Sequence, residues 1–159
     1  MEKKASVVSI SDEKGIDHVD LLRTALINEA KFNRNGRVKL TFFLKALQYL
    51  GYIDKSELQN HKTTLTIVID GVSQTEHFLL VKPLSKQPIY ELRISLPQLH
   101  CWIRATFFPK YYHNQLYYCF AKGFVKTRNP DYDPTNDMIQ QTYLMYKKVQ
   151  RDPGKYLSS

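Results

Sequence analysis

Two cysteines in 159 residues are too few for a disulfide framework, and they form no Cys-x-x-Cys pair. Cys101 and Cys119 fall within strand-like stretches, which makes buried, reduced thiols the expectation and suits a cytoplasmic protein. No apolar run approaches the roughly 18 residues a membrane span needs, and the opening MEKKASVVSISDEKG lacks the apolar centre of an export signal. There is no internal repeat and no low-complexity segment. A glycine-rich phosphate loop, His-Glu-x-x-His and Gly-x-Ser-x-Gly are all missing, which removes the usual basis for nucleotide hydrolysis, zinc proteolysis and serine-esterase chemistry. Five histidines (18, 61, 77, 100 and 113) are scattered without metal-ligand spacing, so neither a metal nor another cofactor is expected.

What is present suits one packed domain: 43% hydrophobic and 13% aromatic residues. A formal charge of +8, with 23 Lys and Arg against 15 Asp and Glu, favours an acidic partner such as nucleic acid or the ribosome. Residues 7–10 form a short apolar run that reads as a first strand. From Asp17, a natural N-cap, Val19, Leu22, Leu26 and Ala30 repeat at helical spacing. A break at 33–36 precedes a second helix through Leu40, Phe43, Leu44, Leu47 and Leu50, with Gly51 as a C-terminal stop. Residues 65–70 and 77–81 read as two strands about an Asp70–Gly71 turn. Asp133 and Pro134 then mark the start of a last helix, whose stripe of Met138, Ile139, Thr142, Tyr143, Met145, Tyr146 and Val149 ends before Pro153.

Between these helical regions lie three aromatic and β-branched segments, 90–96, 101–108 and 115–126, expected to form an antiparallel meander. Alternation puts Glu91, Arg93 and Ser95 on one face of the first strand and Trp102, Arg104 and Thr106 on one face of the second. Lys122 and Lys126, four apart, share a side of the third if it is regular. A half-solvated sheet commonly carries such charges merely to stay wet. His100 and His113 flank the second strand and can exchange protons near neutral pH.

The run Tyr90–Glu91–Leu92–Arg93, the strand Trp102–Ile103–Arg104 and the closing Gly123–Phe124–Val125–Lys126–Thr127 resemble RelE-superfamily toxins, especially their phage-derived, HigB-like branch. The likeness spans roughly residues 80–150 and, more weakly, 17–55. It implies an α+β, RelE-like fold over residues 1–159: a helical hairpin on a small antiparallel sheet, a C-terminal helix and an insertion at 62–77. It also implies a toxin of a type II toxin–antitoxin system that cuts mRNA, usually on the ribosome, by metal-independent attack of a ribose 2′-hydroxyl on the adjacent phosphate. The expected partners are mRNA and an antitoxin, often a helix-turn-helix protein.

Carried over by position, Arg93 and Arg104 are phosphate ligands, and Lys126 stabilises the transition state or protonates the leaving group. Lys122 stands where many relatives have histidine; it can act as a base if neighbouring cations lower its pKa. Thr127 replaces the family's second lysine, and no general base stands out. Tyr117 and Tyr118 are candidates for base stacking, and Arg128 for RNA contact. Two other classes stay open: a ParE-like toxin that inhibits gyrase by binding, and an RNA- or protein-binding module that kept the fold and lost activity. On the cleavage reading, Arg104→Ala removes activity and leaves the fold intact, because Arg104 lies opposite the face of Ile103 and Phe107.

Overall fold

A computed structural model describes residues 2–128 and 136–157. The chain runs β1 (Ser6–Ser9), α1 (His18–Ala30), α2 (Arg34–Leu50), β2 (Lys62–Ile69), β3 (Val72–Leu79), β4 (Val81–Pro83), β5 (Tyr90–Leu96), β6 (Cys101–Tyr112), β7 (Gln115–Lys126), α3 (Asn136–Arg151) and the single turn α4 (Pro153–Tyr156). The expected α+β class holds. The main sheet has strand order β1-β7-β6-β5-β4, and β2 and β3 form a separate two-stranded sheet. β1 runs parallel to β7, so the sheet is mixed rather than wholly antiparallel.

Helix boundaries follow local chemistry. Asp17 caps α1 by accepting from the Asp20 amide at 2.9 Å, and Asn33 caps α2 by accepting from the Gly36 amide at 2.7 Å. The break at 33–36 is therefore the start of the second helix. Gly36 is needed for closeness: a Cβ there would lie 2.6 Å from the Glu29 carbonyl of α1. Gly51 does end α2 as expected, though its right-handed φ of −63° does not itself require glycine. A Cβ at Gly51 would instead press on the Ala5 carbonyl oxygen at 3.2 Å.

The α1–α2 hairpin covers one face of the main sheet, with Val19, Leu22, Leu26, Phe42, Phe43 and Leu47 meeting Ile103, Phe107, Tyr118 and Phe120. α3 closes part of the other face through Ile139, Met145 and Val149 against Phe108 and Cys119. The β2–β3 hairpin turns at Asp70 and Gly71, with φ of +52° and +77°, and packs Leu65, Ile67 and Phe78 into the helix-side core. The second strand assigned to 77–81 divides in two, because β3 ends at Leu79 and Val81 begins β4 beside β5. β6 extends past Pro109 to a two-residue turn at His113 and Asn114 (φ +50° and +62°), where a loop was expected from 109. β5 pairs only as far as Phe107, so Pro109 falls where β6 has become an edge strand. The cap assigned to Asp133 and Pro134 lies outside the described residues.

Gly36→Ala forces α1 and α2 apart and should lower unfolding free energy by about 1–3 kcal/mol. Urea denaturation checks this; an unchanged midpoint would show that the helices separate freely.

Candidate functional site

Cross-strand register arranges one face of the meander in three rows. Glu91, Thr106 and Lys122 form the first, Arg93, Arg104 and Phe124 the second, and Ser95, Trp102 and Lys126 the third. All four cations singled out in the sequence thus share a face. β7 is not regular, however: Phe107 pairs with Phe120 and Thr106 with Lys122, which leaves Ala121 as an extra residue. Strict alternation would have put Lys122 and Lys126 on the side of Tyr118 and Phe120. The bulge moves both lysines to the arginine side.

Arg93 and Arg104 are directly opposite one another, a pairing that like charges disfavour. Glu91 offsets it, its Oε1 lying 3.5 Å from Arg93 Nε and 3.9 Å from Arg104 Nε. Arg104 is only 4% exposed, and its guanidinium donates to the Ile103 carbonyl at 3.0 Å and to Ser95 Oγ at 3.1 Å. The expectation that Arg104 sits on a solvated face, removable without structural cost, is therefore incorrect. Arg93 is a quarter exposed, and its buried Nε makes no hydrogen bond. That leaves Arg93 the arginine of the pair with a route to a ligand.

The two stacking candidates belong to the interior. Tyr118 is fully buried and donates its hydroxyl to the Ile53 carbonyl, and burial pushes its phenol far above the usual range. Tyr117, 5% exposed, packs on the α3 side and donates to Gln115 Oε1 at 3.1 Å. Neither ring can take a base. Arg128 is exposed, and Lys126 is half-buried with Nζ 5.5 Å from the Phe124 ring centre. His100 and His113 are exposed turn residues with φ of +47° and +50°. Cys101 and Cys119 are buried free thiols, pushed up to about 11 and about 12 by burial.

The residues after β1 bring up a cluster that the sequence hid. Ile10 donates to the Phe120 carbonyl at 2.9 Å, which carries the following turn past Ala121 and Lys122. Asp12 Oδ1 then accepts from the amides of Lys14 (2.8 Å) and Ile16 (3.0 Å), and its Oδ2 lies 2.8 Å from His18 Nε2. The same imidazole nitrogen is 3.0 Å from Lys122 Nζ. Hydrogen bonds, first from the Ile16 amide and then from His18, lower the Asp12 carboxyl from 3.8 to about 2. Burial lowers the Lys122 ammonium from its usual value, with the Asp12 charge opposing. The cause is thus desolvation rather than the neighbouring cations invoked from the sequence. The fold thus brings to Lys122 a histidine that lies 104 residues away in the chain.

Asp12, His18 and Lys122 open on a hollow of about 410 Å³, shared with Gln141, Leu144 and Met145 of α3. Among the described residues, no group of three or more His, Cys, Asp and Glu could hold a metal ion. Among them too, no helix is long and apolar enough to cross a membrane. Comparison of the chain with protein-family models, curated proteins and solved structures found no match.

Arg104→Ala should destabilise the fold by about 2–5 kcal/mol, because it empties a buried site and takes away one of the two guanidinium groups beside the buried Glu91 carboxylate. An unchanged urea midpoint would return Arg104 to the surface reading. Asp12, whose carboxyl is lowered on folding, stabilises the turn fully above pH 3.8 and loses that contribution as pH falls to about 2. NMR shifts of the Lys14 and Ile16 amides should move within that window; movement only above pH 5 would contradict the assignment.

Proposed function

We propose that this protein is a toxin-type endoribonuclease of RelE-like fold that binds mRNA, on the ribosome or free, and cleaves it by 2′-hydroxyl attack. The observation that carries this reading is the convergence of Arg93, Arg104, Lys122 and Lys126 on one face of the meander. A helical hairpin before the meander and a helix after it agree with the layout the resemblance implies. In this reading Arg93 and Lys126 contact phosphate, Arg128 extends the basic edge, and Arg104 positions Glu91 and Arg93 from beneath. A fixed guanidinium suits this work because it stays charged and can engage two oxygens. In this reading an antitoxin clamps the helical hairpin, where Leu21, Ile27 and Phe32 are exposed apolar residues.

One observation favours a second reading. Glu91 lies beside both arginines, which leaves less positive charge for a phosphorane than four lysines and arginines suggest. A non-catalytic RNA-binding module would keep this face for adhesion alone.

Purified protein added to translating ribosomes, with mapping of mRNA ends, tests the proposal. Arg93→Ala should lower cleavage by about 10²–10³, whereas Lys3→Ala, at an exposed position near the N-terminus, should leave it unchanged. Binding of single-stranded RNA should weaken with salt, and Lys126→Ala should reduce the slope of log K on log salt by about 0.7. Salt-dependent binding without new mRNA ends would favour the binding module. Equal cleavage by wild type and Arg93→Ala would remove Arg93 from the site.

A further inference from the structure

We infer that Asp12, His18 and Lys122 form the proton-transfer centre of this protein, with the imidazole of His18 as the general base toward an RNA 2′-hydroxyl. The inference rests on the RNA-cleavage reading above and supplies the base that it lacks. Its foundation is one nitrogen with two competing partners. His18 Nε2 lies 2.8 Å from Asp12 Oδ2 and 3.0 Å from Lys122 Nζ. With a proton on Nε2, the ring donates to Asp12; with Nε2 bare, it accepts from the Lys122 ammonium. The same nitrogen therefore serves as donor to Asp12 or as acceptor from Lys122, according to where the cluster's proton sits, with Asp12 drawing back when Nε2 is bare. A structural lock on the turn would need only Asp12, which already holds the Lys14 and Ile16 amides. The lysine on the other side is surplus to that task.

The surroundings suit a polyanion. The hollow of about 410 Å³ beside His18 carries Lys14, Lys122 and Lys148, and an adjoining one of about 700 Å³ carries Lys148, Arg151 and Lys155. Both volumes lie within the ~300–1,000 Å³ typical of ligand sites. Facing these five cations are Asp12, Glu13 and Asp152, with Glu13 paired to Lys148 and Asp12 to His18. The balance is cationic along a path that ends at the imidazole. Leu144 and Met145 give the wall beside it an apolar surface for a base or ribose.

In the step, the 2′-hydroxyl displaces the Lys122 ammonium from Nε2, and the ammonium turns to a non-bridging phosphate oxygen. His18 takes the hydroxyl proton as O2′ bonds to phosphorus. The P–O5′ bond breaks, leaving a 2′,3′-cyclic phosphate on one fragment. O5′ takes a proton from water, and the imidazolium returns one to the resulting hydroxide. Asp12 steadies the imidazolium formed in between.

The experiment compares wild type, His18→Gln and Lys3→Ala on an RNA oligonucleotide and on ribosome-bound mRNA. Ring signals of His18 are followed by NMR in the wild type as the same oligonucleotide, made non-cleavable by 2′-deoxy substitution, is added. Positioned general bases contribute about 10²–10⁴ in rate, so His18→Gln should lose at least about 10²-fold in cleavage while binding the deoxy oligonucleotide as wild type does. Movement of the His18 ring signals on addition of the deoxy oligonucleotide completes the expected result and does not depend on the variant folding. Cleavage by the wild type with a folded His18→Gln protein equally active, or with unmoved His18 signals, overturns this inference and leaves the RNA-cleavage reading standing. Absence of cleavage by the wild type on either RNA overturns both.

Discussion

A single extra residue in β7 governs which side chains meet on the sheet. Ala121, completely buried, occupies the bulge between the Phe107–Phe120 and Thr106–Lys122 pairs. Before it, Leu116, Tyr118 and Phe120 point to the helical hairpin; after it, Gly123 and Val125 take that side and Lys122 and Lys126 leave it. A regular strand would have directed two ammonium groups toward α1, where Leu22 already presses on Gly123 so closely that a Cβ would lie 2.8 Å from its methyl. Burying an unpaired ammonium group against Leu22 costs several kcal/mol, more than an interrupted ladder. The bulge thus reconciles an aromatic core with a cationic surface on one strand.

The second constraint is electrostatic. Register places Arg93 opposite Arg104, and burial of Arg104 removes the water that would otherwise screen them. Glu91 resolves the conflict at the cost of burying its own carboxylate, at 5% exposure. The pair therefore acts as a unit: Arg104 fixes Glu91, and Glu91 in turn fixes the more exposed Arg93. Beside it, Lys122 is drawn toward the sheet edge by His18 and Asp12 rather than inward to the arginines. The face consequently has two chemical characters, a guanidinium–carboxylate group at its middle and a titratable cluster at its β1 side.

Much of the architecture was legible because local patterns and tertiary placement agree. Helical spacing marked α1 and α2, a capping Asp17 gave the start of α1, and Asp70–Gly71 announced the β2–β3 turn, whereas the cap at Asn33 read only as a break. Alternation along β5 and β6 put Glu91, Arg93, Ser95, Trp102, Arg104 and Thr106 on one face, as the register has it. Tyr117 and Tyr118 were misplaced because an aromatic in a strand looks the same whether it faces water or a helix. Only the packing of α1–α2 and α3 on opposite faces of β7 distinguishes these cases.

The sequence by itself determined the α+β class, the order of the elements, the basic charge and the faces of the regular strands, since each depends on neighbours a few residues apart. Tertiary structure decided the parallel docking of β1, the bulge at Ala121, the burial of Arg104 and the meeting of Asp12, His18 and Lys122. Each of these depends on contacts between distant parts of the chain, and the deciding energies are those of burying charge and filling space. His18 and Lys122 are 104 residues apart yet 3.0 Å from atom to atom, a proximity that no local periodicity encodes.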